Sequence, residues 1–152
     1  MAAAPYVAVV GAGGTVAAEL LALAEAVGGE LARRGAVVVT GGLGGVMEAA
    51  CRGARAAGGM TLGILPGTDR GEANAFVELA VATGMGELRN GLVVRCVDAL
   101  VAVGGEYGTL SEVALALKAG KPVVGLATWQ IDGVQAAADP REAVALVLGL
   151  SP

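Results

Sequence analysis

The apolar positions of this chain fall into two kinds of run, and the two kinds alternate. Short continuous apolar stretches lie at 6–10, 36–40, 60–65, 99–103 and 122–127, and the first four stop directly at glycine or proline. That is the pattern of strands buried on both faces. Between them, 16–34, 46–57, 87–96, 109–119 and 140–148 carry apolar residues at helical spacing; in the first, Leu20, Leu21, Leu23, Ala24 and Val27 share one side. Gly28-Gly29 interrupts that stretch at about 1 kcal/mol per glycine relative to alanine. The pattern resumes at Leu31, so one helix is expected. Residues 66–71 read as a loop and 76–82 as a further short strand. Buried strands alternating with helices predict an α/β fold: one Rossmann-like domain over 1–152, with a doubly wound, mainly parallel sheet flanked by helices.

Three of the predicted strand ends run into glycine clusters: Gly11 and Gly13 after the first, Gly41, Gly42 and Gly45 after the second, Gly104 and Gly105 after 99–103. Doubly wound sheets take their ligands at this carboxyl edge. The helix that follows each turn begins with amide N–H groups lacking an internal partner, and its dipole favours negative charge there. Glycine lets a phosphate approach that backbone. The third junction, Gly104-Gly105-Glu106-Tyr107-Gly108-Thr109-Leu110-Ser111-Glu112, also brings a hydroxyl (Thr109) and a carboxylate (Glu112) to the helix mouth. The first turn lacks the last glycine of a dinucleotide fingerprint, and no Gly-Lys-Ser/Thr ending marks a Walker-type ATP site.

Around these turns the candidate side chains each have two readings. Glu112 is either a carboxylate beside the ligand or the acid of a capping box, with Thr109 as N-cap. Arg89 is either a charge at the site mouth or a solvated helix arginine. Asn90 is a cap or a ligand contact, and Glu48 a first-turn acid or a site residue. Trp129 and Asp132 line a base pocket or serve turn and core.

Composition narrows the chemistry. The chain has 152 residues, 55% hydrophobic and only 16% charged, with net charge −4. So apolar a surface predicts a homo-oligomer, dimer or tetramer. No basic run supports nucleic-acid binding, and no stretch suits a membrane span. The N-terminus has no basic region of a secretory signal, so a cytoplasmic setting is expected. Cys51 and Cys96 are expected to be buried free thiols on helices. There is no histidine, which removes Ser-His and Cys-His nucleophiles, and no metal site is expected.

The segment from Thr40 through Gly41, Gly42 and Gly45 to Glu48, together with that from Gly104 to Glu112, resembles the paired motifs of the LOG-like proteins. These are cytokinin riboside 5′-monophosphate phosphoribohydrolases, often mislabelled lysine decarboxylases. The likeness spans Tyr6 to about Leu148. It is greatest to a shorter branch of molybdenum cofactor carrier proteins and relatives of the DNA-processing protein DprA, which share Gly63–Pro66 and Gly120–Val123. Arg89 and Glu112 fall where LOG enzymes carry a catalytic arginine and glutamate. Val103 stands where those enzymes have proline, and Asn90 where they have lysine. The resemblance implies a binder of a nucleotide-like phosphate ligand, of the molybdenum cofactor carrier kind, with a LOG-type phosphoribohydrolase as the alternative. Neither requires a resident cofactor; the group expected to bind is a molybdenum cofactor or a nucleotide.

Overall fold

The computed structural model describes residues 3–149. Seven strands form one parallel sheet in the order β4-β3-β2-β1-β5-β6-β7. They are β1 (Tyr6–Val10), β2 (Val37–Thr40), β3 (Thr61–Leu65), β4 (Leu79–Ala82), β5 (Ala99–Val103), β6 (Val123–Leu126) and β7 (Val134–Ala136). The helices are α1 (Ala18–Arg33), α2 (Val46–Ala56), α3 (Arg89–Arg95), α4 (Tyr107–Lys118) and α5 (Pro140–Val147). The alternation of side chains along each strand sorts them into two cores. Val7, Val9, Val38, Val101 and Val103 pack with α1, α2 and α5, whereas Ala8, Val10, Val39, Leu100 and Ala102 pack with α3 and α4. Order reverses at β1, which pairs with β2 on one side and β5 on the other. Here the chain leaves successive strands in opposite directions and a crevice opens at their carboxyl ends.

The expected α/β architecture is the one found, with differences that have local causes. As expected, Gly28-Gly29 does not break α1; the glycines there serve packing. A Cβ on Gly28 would stand 2.0 Å from the Ala50 carbonyl oxygen of α2, and one on Gly53 of α2 would stand 1.9 Å from the Glu25 carbonyl oxygen of α1. The two helices thus touch backbone to backbone. α1 starts at Ala18 rather than at 16. β7 has no signature in the sequence: three residues carry no period, and the strand exists through its pairing of Val134 with Val123. Cys51 is buried as expected, but Cys96 lies just beyond α3 and is exposed. Lys121 explains why α3 stops there: its Nζ donates to the carbonyls of Val94 (2.7 Å), Arg95 (3.1 Å) and Val97 (2.7 Å), covering the orphan carbonyls of the helix end. Among the described residues no helix is long and apolar enough to cross a membrane.

Candidate functional site

All three glycine turns reach the carboxyl edge, and they are tied together there. Val46 N–H, at the start of α2, donates to the Ala12 carbonyl in the β1 turn at 2.9 Å. Gly45, the N-cap of α2, lies so close under that turn that a Cβ would stand 2.2 Å from the Ala12 oxygen. Gly11 passes within the same distance class of Val103 at the end of β5, where a Cβ would be 2.6 Å from the carbonyl oxygen. Gly42 is clamped by Asn74, whose backbone N–H and Nδ2 both donate to its carbonyl (2.9 and 3.3 Å) while Nδ2 also reaches Leu43 O at 2.8 Å. No sequence signal singles out Asn74, which sits in an irregular loop with no motif around it.

Arg89 is the first residue of α3 and is only 8% exposed. Its Nε donates to Ile64 O at the end of β3 (2.8 Å) and its Nη2 to Gly41 O after β2 (3.3 Å). Its Nη1 donates to the Asn90 side-chain oxygen. Gly41 must be glycine for this: a Cβ would stand 2.5 Å from Nη2. Arg89 is therefore a fixed internal cation, not a solvated helix arginine, and Asn90 orients it. Asn90 Nδ2 in turn lies beside Gly108 in the first turn of α4.

Glu112 sits in the second turn of α4, 7% exposed. Burial pushes its carboxyl up to about 7, against the pull of the Arg89 charge. Arg89 is shifted downward by its own burial, countered by Glu112. The two groups feel each other without a direct ion pair among the described residues. A carboxyl so perturbed beside one charged partner, at a sheet's carboxyl edge, has the character of a functional group. Glu48 lies half-buried in the first turn of α2. Its charge helps raise the Cys51 thiol, whose upward shift comes mainly from burial.

The capping expectation at α4 needs correcting. The N-cap is Glu106, not Thr109, and the helix begins two residues earlier than its apolar pattern does. Glu106 and Thr109 form a reciprocal capping box: Glu106 N–H donates to Thr109 Oγ1 at 3.3 Å, and the Glu106 carboxylate turns back toward the Thr109 amide. Glu112 has no capping role. Thr109 is buried, its hydroxyl engaged in the cap. The same Glu106 carboxylate accepts from Gly13 N–H across the β1–β5 crevice at 3.4 Å, a long bond by ordinary standards. The anion position inferred from the glycine turns is thus spanned by a carboxylate of the chain itself. Among the described residues, the N–H groups of Tyr107 and Gly108 have no acceptor. Tyr107, 89% exposed, and Gly108 also line a groove of about 450 Å³ with Asn90, Ser111 and Leu115. Among the described residues no cluster of three or more His, Cys, Asp or Glu side chains is placed to hold a metal ion.

With this geometry the chain matches the model of the SLOG cluster4 family over residues 4–149. The chain belongs to the SLOG cluster4 family. A relative from Archaeoglobus fulgidus, described as an uncharacterized protein, is 45% identical over 127 residues, covering 83% of each chain. Among solved structures, the molybdenum cofactor binding protein of the phototrophic bacterium Rippkaea orientalis is similar with a TM-score of 0.91 and 36% identity, over 97% of both chains. The molybdenum cofactor carrier protein of Chlamydomonas reinhardtii is similar with a TM-score of 0.87 and 38% identity, over 97% of this chain and 98% of that one. The SLOG cluster4 assignment agrees with the superfamily that the glycine motifs resemble.

Proposed function

We propose that the protein binds a nucleotide-like, phosphate-bearing small molecule in the crevice between β1 and β5, as a carrier of the molybdenum cofactor type. The observation that carries this reading is the Glu106 carboxylate lying across Gly13 N–H and the start of α4. It marks a spot where two backbone turns accept negative charge, and the long bond makes it displaceable. A ligand phosphate would take that place, received by the free N–H groups of Tyr107 and Gly108 and by the glycine backbone at 11, 13, 104 and 105. Arg89, held by Gly41 and Asn90, supplies positive charge behind it. Gly42, Gly45 and Glu48 shape the β2 side of the crevice. The phosphate end of a molybdenum cofactor fits this donor set, which offers N–H groups and a guanidinium. The similarity to molybdenum cofactor proteins along the whole chain supports the same ligand class.

Calorimetric titration with ribose 5-phosphate tests the reading on the parent protein and on Glu106→Gln. Removing a like charge about 5 Å from the phosphate is worth on the order of 1–2 kcal/mol. Glu106→Gln should therefore bind about tenfold more tightly. Weaker binding by the variant, or none by either protein, overturns the proposal.

A second reading is favoured by Glu112, whose carboxyl stands near 7 beside Arg89, the range suited to acid–base work at neutral pH. A LOG-type phosphoribohydrolase would use it to stabilise positive charge on the ribose as the base leaves. AMP incubated with the protein would then give adenine and ribose 5-phosphate, and Glu112→Gln would abolish turnover. Absence of free base from AMP and from an N6-substituted AMP removes this reading.

The proposal includes a homo-oligomer. Leu88 (72% exposed), just before α3, and Leu115 of α4 line the groove, and Leu92 of α3 is also exposed; a second copy would cover them. Light scattering that finds only monomer at micromolar concentration refutes this part.

A further inference from the structure

Parallel strands are ordinarily joined by a crossover of a dozen or more residues, usually a helix. β6 and β7 pair in parallel, yet only residues 127–133 connect them. The short connection leaves open the space a crossover helix would fill. A cavity of about 480 Å³ lies there, lined by Gly125, Thr128, Trp129, Gln130, Ile131 and Asp132 together with the inner side of β7. Its floor depends on a missing side chain, since a Cβ on Gly125 would stand 2.5 Å from Thr128 Cγ2 and 3.2 Å from Val134 Cγ1.

The connection is anchored to the crevice described above. Ala127 takes a left-handed backbone conformation (φ 50°), a cost of about 1–2 kcal/mol for a residue with a Cβ. The reversal brings Thr128 Oγ1 to donate to Gly104 O at 2.7 Å. It also lays Trp129 against the glycine turn. A Cβ on Gly105, itself at φ 139°, would stand 2.9 Å from Trp129 Cζ3. One indole thus borders the N-terminus of α4 and forms a wall of the cavity. Asp132 lines the same cavity and has no hydrogen-bond or ion-pair partner among the described residues.

We propose that this cavity is the subsite for the ring of the ligand, and that it selects an amino-oxo heterocycle of the guanine or pterin kind over adenine. An indole wall stacks on a planar ring whatever its identity. Asp132 supplies the choice. A carboxylate offers two parallel acceptors, which match the adjacent ring N–H and exocyclic NH₂ donors of guanine or of a 2-amino-4-oxopteridine. Adenine presents one NH₂ beside a ring nitrogen lone pair, so one carboxylate oxygen would face another acceptor. Gln130 adds an amide N–H₂ able to donate to the ring carbonyl. The inference rests on the proposed phosphate site only for the orientation of the ligand, with its phosphate at α4 and its ring under Trp129.

Trp129 is the single tryptophan of the chain, so its fluorescence reports on this subsite, with ribose 5-phosphate as the control for any effect of a phosphate at α4. The probes are guanosine, GMP, AMP and ribose 5-phosphate, each titrated into the parent protein and into Asp132→Asn, an exposed position whose change leaves the core untouched. Guanosine and GMP should quench Trp129, and GMP should bind about tenfold more tightly than AMP. Asp132→Asn should lower GMP affinity about tenfold, erase the preference and leave ribose 5-phosphate affinity unchanged. Equal affinity for GMP and AMP, no quenching by guanosine or GMP, or a preference that survives Asp132→Asn overturns the inference. Ribose 5-phosphate binding while guanosine and GMP leave Trp129 silent sinks the ring subsite and spares the phosphate site. Guanosine quenching without ribose 5-phosphate binding does the reverse.

Discussion

At pH 8 the Glu112→Gln protein should be more stable than its parent by on the order of 2 kcal/mol, and at pH 4 the two should unfold together. In the folded state the carboxyl is raised to about 7 by burial, whereas in the unfolded chain it titrates near its ordinary value of 4.5. Between those values the folded state holds the extra proton. Native stability is therefore complete below about 4.5, falls as pH rises through 7, and stays low above it. The full penalty follows at about 1.4 kcal/mol for each pH unit of displacement, less what Arg89 loses when its counter-charge is removed. Glutamine keeps the shape and never ionises. Urea unfolding of both proteins at the two pH values measures the difference. A variant less stable than its parent at pH 8 would show that the ionised carboxylate contributes to folding instead of opposing it. Stability surrendered in this way at one buried position would single Glu112 out as a candidate functional group.

Gly53→Ala should lower stability by on the order of 2 kcal/mol although it replaces the poorer helix former with the best one. Propensity alone favours alanine by about 1 kcal/mol. The added methyl, however, would stand 1.9 Å from the Glu25 carbonyl oxygen, which is backbone and cannot rotate aside. α1 and α2 would have to separate by more than 1 Å along their contact, with the losses of an overpacked core. For a chain of this length each kcal/mol moves the midpoint by roughly 2–4 °C, so a fall of roughly 4–8 °C is expected in a thermal melt. An unchanged or raised midpoint would mean that the helices part without cost. Gly28 faces Ala50 in the same way, and its alanine variant makes an independent check.

What the chain discloses about itself follows the range of each signal. Buried parallel strands announce themselves because five successive apolar residues have nowhere else to go; Ala99–Val103 is buried throughout. The glycine turns announce themselves because close backbone approach excludes a Cβ, as at Gly41 beneath Arg89. What stays hidden depends on partners distant in sequence. Thr109 and Glu112 have the spacing of a capping box, yet Glu106 takes the cap, since it alone reaches both the Thr109 amide and Gly13. The helix across Gly28-Gly29 is legible from its apolar spacing, but the reason for the glycines stays hidden until α2 is placed against them. β7 and Asn74 have no local pattern, one existing through β6 and the other through the β2 turn. Arg89 was readable as a position in a motif, but its fixed orientation depends on three groups contributed by β3, the β2 turn and Asn90.

The strand order has a consequence for how the protein comes off the ribosome. Residues 6–82 supply β1 to β4, a contiguous block of the sheet, while β5 to β7 occupy the other side of β1. The two blocks meet along a seam where Tyr6 N–H donates to the Asp98 carboxylate at one end and Gly13 faces Glu106 at the other. The crevice is this seam, so a nascent chain halted before β5 has glycine turns and no receptacle. A ligand held in this crevice, as proposed, would find its place only in a molecule whose late-made half has docked, and would hold that joint shut.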